Sequence, residues 1–236
     1  MHVPDGFLDA PTSIATGLVA VGGVALALRG ARRELDDRTA PMAGLVATFV
    51  FAGQMMNFPV AAGTSGHLLG GALAAVLVGP WTAVLCLTTV LLVQALFMAD
   101  GGITALGTNI TLMALVGVGV GWLVFVGVRA LLPKRVGAVA PAAAVGALLS
   151  VPVAALAFSL LFAVGGTAPV ATAKVLTAMV SWHTVIGVGE AVITALVVGS
   201  VVAVRPDLVY GARRALRART LEIREPVTAR EAGEAA

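Results

Sequence analysis

Apolar runs long enough to cross a lipid bilayer recur along this chain, and they constrain its fold more than any other feature. The runs are 12–28, 41–58, a short Gly/Ala-rich piece at 68–78, then 82–99, 103–131, 139–164 and 179–204. Most reach or approach the roughly 20 residues that a helix needs to span the hydrocarbon core. Only 11% of the residues are charged and 59% are hydrophobic, so a water-facing shell cannot be assembled and lipid must cover the outside. The expected fold is all-α, a polytopic membrane bundle of about seven transmembrane helices. The abundant Gly and Ala predict close helix packing, since in lipid packing contacts drive association. The single Cys86 lies in an apolar run, which excludes a disulfide framework and reads as core packing.

The piece at 68–78 is too short for a comfortable crossing, and it reads as a shielded short span or a re-entrant hairpin. Charge placement favours a crossing. With seven spans, Arg29, Arg32, Arg33 and Arg38 share one side with Arg129, Lys134, Arg135, Arg205 and the tail arginines, leaving Lys174 alone opposite. That is the positive-inside bias, with the N-terminus outside and the C-terminus cytoplasmic. The same placement argues against nucleic acid as a partner, because the basic residues flank apolar spans. No basic residue precedes the first span, so the chain is expected to keep its own first residues rather than lose a secretory signal. Residues 1–204 read as one transmembrane domain and 205–236 as a polar cytoplasmic tail, partly helical over 210–225 and otherwise disordered.

Polar groups inside an apolar bundle are candidate functional sites. Here they are His2 and Asp5 in the opening Met1–Gly6, His67 after Gly63-Thr64-Ser65-Gly66, Asp100, Asn109, His183 and Glu190. All three histidines fall at one side in the seven-span topology. A free terminal amine, the amide nitrogen of residue 2 and the His2 imidazole can wrap one metal, and His67 could supply a fourth nitrogen. Planar nitrogen coordination favours Ni(II) or Cu(II). Blander readings stand beside this one. His2 could be a loose terminal residue and His67 a capping or interfacial group, with Thr64 and Ser65 as N-cap residues of a helix starting near His67. His183 and Glu190, seven apart, could hydrogen-bond each other.

Four collinear segments carry a resemblance. MHVPDGFL (1–8) is similar to MHIPDGFL, and GTSGHLLGGALAAVLVGPW (63–81) to GTSGHLLGGALAAILLGPW. DGGITALGTN (100–109) is similar to DGGLTALGAN, and HTVIGVGEAVIT (183–194) to HALIGIGEALIT. The chain thus resembles the substrate-binding membrane subunit of cobalt and nickel energy-coupling-factor transporters, the CbiM/NikM family. The resemblance implies that Met1 supplies its amine, His2 its amide nitrogen and imidazole, and His67 its imidazole, to Co(2+) or Ni(2+) as transported substrate. Asp100, Asn109, His183 and Glu190 would orient these ligands. It also implies a plasma-membrane location, a transmembrane coupling subunit, ATPase subunits and a small accessory membrane subunit. The chain has no phosphate-binding GxxxxGK[ST] loop of its own. Cobalt is the expected cargo, since no accessory-subunit domain is fused to the chain. A proton-coupled secondary carrier is the alternative. An intramembrane enzyme using Asp100, His183 and Glu190 is disfavoured, because neither HExxH nor GxSxG occurs.

Overall fold

The computed structural model describes residues 1–36, 39–61 and 64–222. Helix α1 (Ala10–Ala31) opens on Asp9, whose side chain accepts the Thr12 amide, with Pro11 in the first turn where a missing N–H is harmless. There follow α2 (Thr39–Met55), a hairpin of β1 (Phe58–Ala61) and β2 (Thr64–Gly66), the short α3 (Gly71–Val78) and α4 (Pro80–Phe97). One long passage joins α5 (Leu106–Asn109), a π-helical segment (Ile110–Gly117) and α6 (Val118–Leu131). Then come α7 (Val139–Gly165), α8 (Thr172–Val204) and α9 (Arg213–Glu222). Five helical passages are long and apolar enough to cross a membrane, and α2 and α3 are shorter. The chain is a polytopic helical membrane protein, as its apolar runs predict.

Three local expectations change. The second helix ends at Met55, so Phe58 begins a strand paired antiparallel with Gly66. Thr64 and Ser65 lie in that hairpin, and the N-cap position of the next helix is Gly70. The next helix starts only at Gly71, after Gly70 in a left-handed conformation (φ 77°) that suits glycine. The last span starts at Thr172, seven residues earlier than the apolar run suggests, because an Ala- and Thr-rich stretch extends it.

All eight residues of α3 are buried, which settles how so short a piece is tolerated. Its start lies by His67, which stacks on His2, and Gly79 at its end abuts the Glu34 carboxylate beyond α1. A non-helical lead-in (66–70) plus two helical turns reach at most roughly 28 Å, just under the hydrocarbon thickness. Irregular backbone at that depth needs internal partners, and it has them. Glu190 accepts the Leu69 and Gly70 amides at 2.8 and 2.9 Å, and Gln54 donates to the Leu69 carbonyl at 2.9 Å.

Small residues set the helix spacing. A Cβ on Gly107 would lie 2.5 Å from the Gly17 backbone, and one on Gly121 would lie 2.6 Å from Ala72 Cβ. Pro152 inside α7 cannot donate to the Leu148 carbonyl, and Gly187 of α8 fits against that oxygen, where a Cβ would come within 2.8 Å. At the far end, Glu34 accepts the Thr82 amide and hydroxyl (2.7 and 2.9 Å) at the start of α4. The positive end of the helix dipole favours a carboxylate there. Beyond Val204 the chain folds back on the bundle, burying Val209, Ala212 and Ala215. The expected tail helix is present as a 3₁₀ turn at Tyr210–Ala212 and α9, and its last residues (223–225) lie outside the described residues.

Candidate metal centre

The first eight residues are a plug rather than a loose end. Met1, His2 and Val3 are at most 6% exposed, and Phe7 stacks on Phe158 of α7. The backbone of this segment is held at every turn. Val3 N–H donates to Asn109 Oδ1 at 2.8 Å, while Asn109 Nδ2 and Gly102 N–H donate to the Val3 carbonyl at 3.2 and 2.9 Å. Asp5 accepts the Thr104 amide at 2.7 Å, and Asp9 N–H donates to the Gly165 carbonyl at 2.7 Å. The Gly101-Gly102 pair after Asp100 has a steric reason. Gly101 sits at φ 89°, and a Cβ on Gly102 would meet the Asp5 backbone at 2.3 Å.

Folding therefore brings His2 and His67 together across sixty-five positions, their ring centroids 4.5 Å apart. Hydrogen bonds fix the tautomer of each. His67 Nδ1 lies 2.7 Å from the Leu68 carbonyl, so it carries the proton, leaving Nε2 as a buried lone pair without a partner. His2 Nε2 donates to Gln94 Oε1 at 3.1 Å, so Nδ1 carries the lone pair. That nitrogen makes no hydrogen bond, although Asp100 Oδ1 lies 3.2 Å away. A lone pair facing a carboxylate is an arrangement that a shared cation stabilises. The second ring nitrogen of a ligating histidine is commonly fixed by such a hydrogen bond.

Burial favours the neutral forms of these bases. It lowers the Met1 amine from 8.0 to about 4, against the opposing pull of Asp100. It lowers His2 to about 4 as well, helped by the adjacent terminal amine and opposed by Asp100 and Gln94. Desolvation penalises the charged form of a base, so the terminal amine and the His2 ring are uncharged at neutral pH before any ion arrives. Among the described residues no three His, Cys, Asp or Glu side chains form a metal-binding group. The expected donor set does not need one, since two of its four nitrogens belong to the terminal amine and the backbone.

The remaining sequence candidates are placed as follows. Asn109 clamps Val3, and Asp100 lies between His2 and Asn57, whose Nδ2 donates to it at 3.3 Å. His183 is fully buried, its Nδ1 donating to the Met179 carbonyl at 2.8 Å and its Nε2 without a partner. Glu190 does not bond His183 but grips the loop that carries His67. Three contributors were not foreseen: Gln94 on the His2 ring, Gln54 on the Leu69 carbonyl, and Asn57 on Asp100. Gln54 and Gln94 are fully buried amides within apolar runs, so the expense of polar groups inside a membrane marked them too.

Residues 2–208 match the CbiM family profile, "Cobalt uptake substrate-specific transmembrane region". A provisionally named metal transport protein of Haloquadratum walsbyi is 40% identical over 215 residues, covering 89% of this chain and 94% of that protein. A cobalt transport protein CbiM of Geobacter sulfurreducens is 36% identical, covering 88% of this chain and 61% of that one. A crystal structure described as a truncated transition metal transporter superposes with a TM-score of 0.80 at 30% identity, over 86% of this chain and 99% of that one. With the family profile spanning nearly the whole bundle and the same fold in a solved relative, this chain belongs to the CbiM family of cobalt and nickel transport components.

Proposed function

We propose that this chain is the substrate-capture subunit of an ATP-driven energy-coupling-factor importer, taking Co(2+) as cargo with Ni(2+) as its close competitor. The ion is held by the Met1 amine, the His2 amide nitrogen and imidazole, and the His67 imidazole. The observation that carries this reading is the stacked pair of buried imidazoles, each with one ring nitrogen engaged and the other without a partner among the described residues. Asp100, Asn109, His183 and Glu190 orient the donors and balance charge. Such outer partners commonly tune affinity 10–100-fold. The site end of the bundle faces outward and the basic end faces the cytoplasm of the cell that owns this plasma membrane. The basic end meets a transmembrane coupling subunit and the ATPase subunits that drive release, with a small accessory membrane subunit completing the assembly. Ligand-field preference rises from cobalt to nickel at a planar nitrogen site, so cobalt selectivity has to come from surrounding packing.

Metal quantification on the purified chain, with nickel and cobalt in competition, tests the cargo. A variant carrying two extra Gly before Met1 tests the ligand set, since a single one would place the histidine third and build a new amine–amide–imidazole chelate. The extension displaces the amine from its five-membered chelate with the His2 amide, and tight binding should be lost. Full-strength binding by that variant would exclude the terminal amine. His67→Ala should remove the fourth nitrogen with a comparable loss.

A further inference from the structure

At the end of the bundle remote from the metal centre lies a cavity of about 460 Å³ between α6, the 3₁₀ turn at Tyr210–Ala212 and α9. Along the α5–α6 passage, its lining residues Trp122 to Leu132 lie roughly 20–35 Å from Asn109. Six cations line it: Arg33, Arg129, Lys134, Arg213, Arg214 and Arg217. Among the described residues, no carboxylate lines it. Positive-inside bias places basic residues at this level of a membrane protein, but it does not require them to converge. Here they arrive from three separate stretches, after α1, at the end of α6 and on α9, and surround one space. Arg213 is committed to the fold, donating to the Glu34 carbonyl at 3.3 Å and lying 4.7 Å over the Tyr210 ring. Arg129 donates to the Pro133 carbonyl. Among the described residues, no ion pair engages Arg33, Lys134, Arg214 or Arg217.

The other wall is apolar. Trp122, Phe125, Val126 and Leu132 form it, and Trp122 packs on both Phe125 and Tyr210 at centroid distances of 5.3 and 5.6 Å. The same helix presents Leu123 and Leu131 outward at 71% and 87% exposure, an apolar surface suited to acyl chains. A ligand seated here meets clustered positive charge at one end and an aromatic and aliphatic wall running toward lipid at the other. Tyr and Trp are at home at such a boundary. We infer that this cavity is a binding site for an anionic phospholipid, its phosphate held by Arg33, Lys134, Arg214 and Arg217 and its acyl chains laid along α6. Basic pockets between transmembrane helices hold anionic lipid headgroups by the same electrostatics. A soluble phosphate would use the cations but not the apolar wall.

Native mass spectrometry of the purified full chain tests this, using phosphatidylglycerol and phosphatidylcholine of identical acyl chains at equal concentration. The wild type should retain phosphatidylglycerol in clear preference. Each cation near a membrane surface is worth about fivefold, so the triple variant Arg33→Gln, Lys134→Gln, Arg214→Gln should lose about a hundredfold in apparent affinity. Arg205→Gln, outside the cavity, should bind as the wild type does. Equal retention of both lipids, or undiminished phosphatidylglycerol binding by the triple variant, would overturn the assignment. So would displacement of the lipid by millimolar inorganic phosphate, which would make the site one for a soluble anion. Should the triple variant fail to fold, the lipid preference and phosphate displacement of the wild type decide the matter alone.

Discussion

Asn109 shows how one side chain can govern a site it does not enter. It satisfies both the N–H and the C=O of Val3, one residue beyond the His2 backbone nitrogen. Asn109→Ala leaves the buried Val3 N–H without its acceptor, at about 1–3 kcal/mol, while the Val3 carbonyl keeps only the Gly102 N–H. The expected result is a 10–100-fold loss of cobalt or nickel affinity, read by titration calorimetry, with the rest of the bundle intact. The Met1 amine gives a pH dependence whose sign follows from burial. Docked, it protonates only near pH 4; free, near 8.0. The undocked segment therefore binds more protons across that window, and docking of the metal-free plug should weaken steadily as pH falls from 8 toward 4, with no further loss below. His2 adds to the same trend between its ordinary 6.5 and about 4. Amide hydrogen exchange over residues 2–8, corrected for intrinsic rates, should show less protection at pH 5 than at pH 8; a flat profile would refute the buried neutral amine. The histidines and Asp100 were legible as polar residues in an apolar chain. Their free lone pairs were not, because the tautomers depend on Leu68 and Gln94, which no spacing connects to them.

Among the elements, α3 carries the most consequence per residue. Two helical turns cross only part of a bilayer, yet the segment runs from the metal centre to Glu34 because its non-helical half borrows partners from α2 and α8. Its packing is tight against α6, where Gly121 approaches the Ala72 backbone. Gly121→Ala should overpack that contact and cost about 1–3 kcal/mol, seen as a lower Tm in detergent. Gly119→Ala, on the same helix with nothing within 4 Å of an added Cβ, should be neutral or raise the Tm slightly. Equal effects at the two positions would mean that α3–α6 contact does not limit stability. The π-helical stretch beginning at Ile110 is a further departure from a regular span. It follows directly on Asn109, and wide turns of this kind frequently adjoin functional sites.

Across the whole molecule, five membrane-length helical passages and the shorter α2 and α3 lie between a polar end holding the plug and a basic end holding the arginine-lined cavity. In that arrangement Pro169, between α7 and α8, and Gly137, before α7, lie at opposite ends, each exposed. In a Cys86→Ala background, Pro169→Cys should react with a membrane-impermeant thiol reagent in intact cells, while Gly137→Cys should react only after the membrane is opened. The reverse pattern would invert the orientation and put metal capture on the cytoplasmic side.

The sequence by itself determined the membrane class, the approximate spans and the residues that had to be special, because hydrophobic length and scarce charge are local properties that need no partner to be read. Its opening and its His67 segment also sufficed to mark the family. Only the tertiary structure decided that the first residues are buried, that Glu190 serves the His67 loop rather than His183, and that three distant basic stretches enclose one cavity. Each of these depends on which helix faces lie against each other, and in a bundle whose faces are nearly all apolar, close contact between small residues settles that, not periodicity.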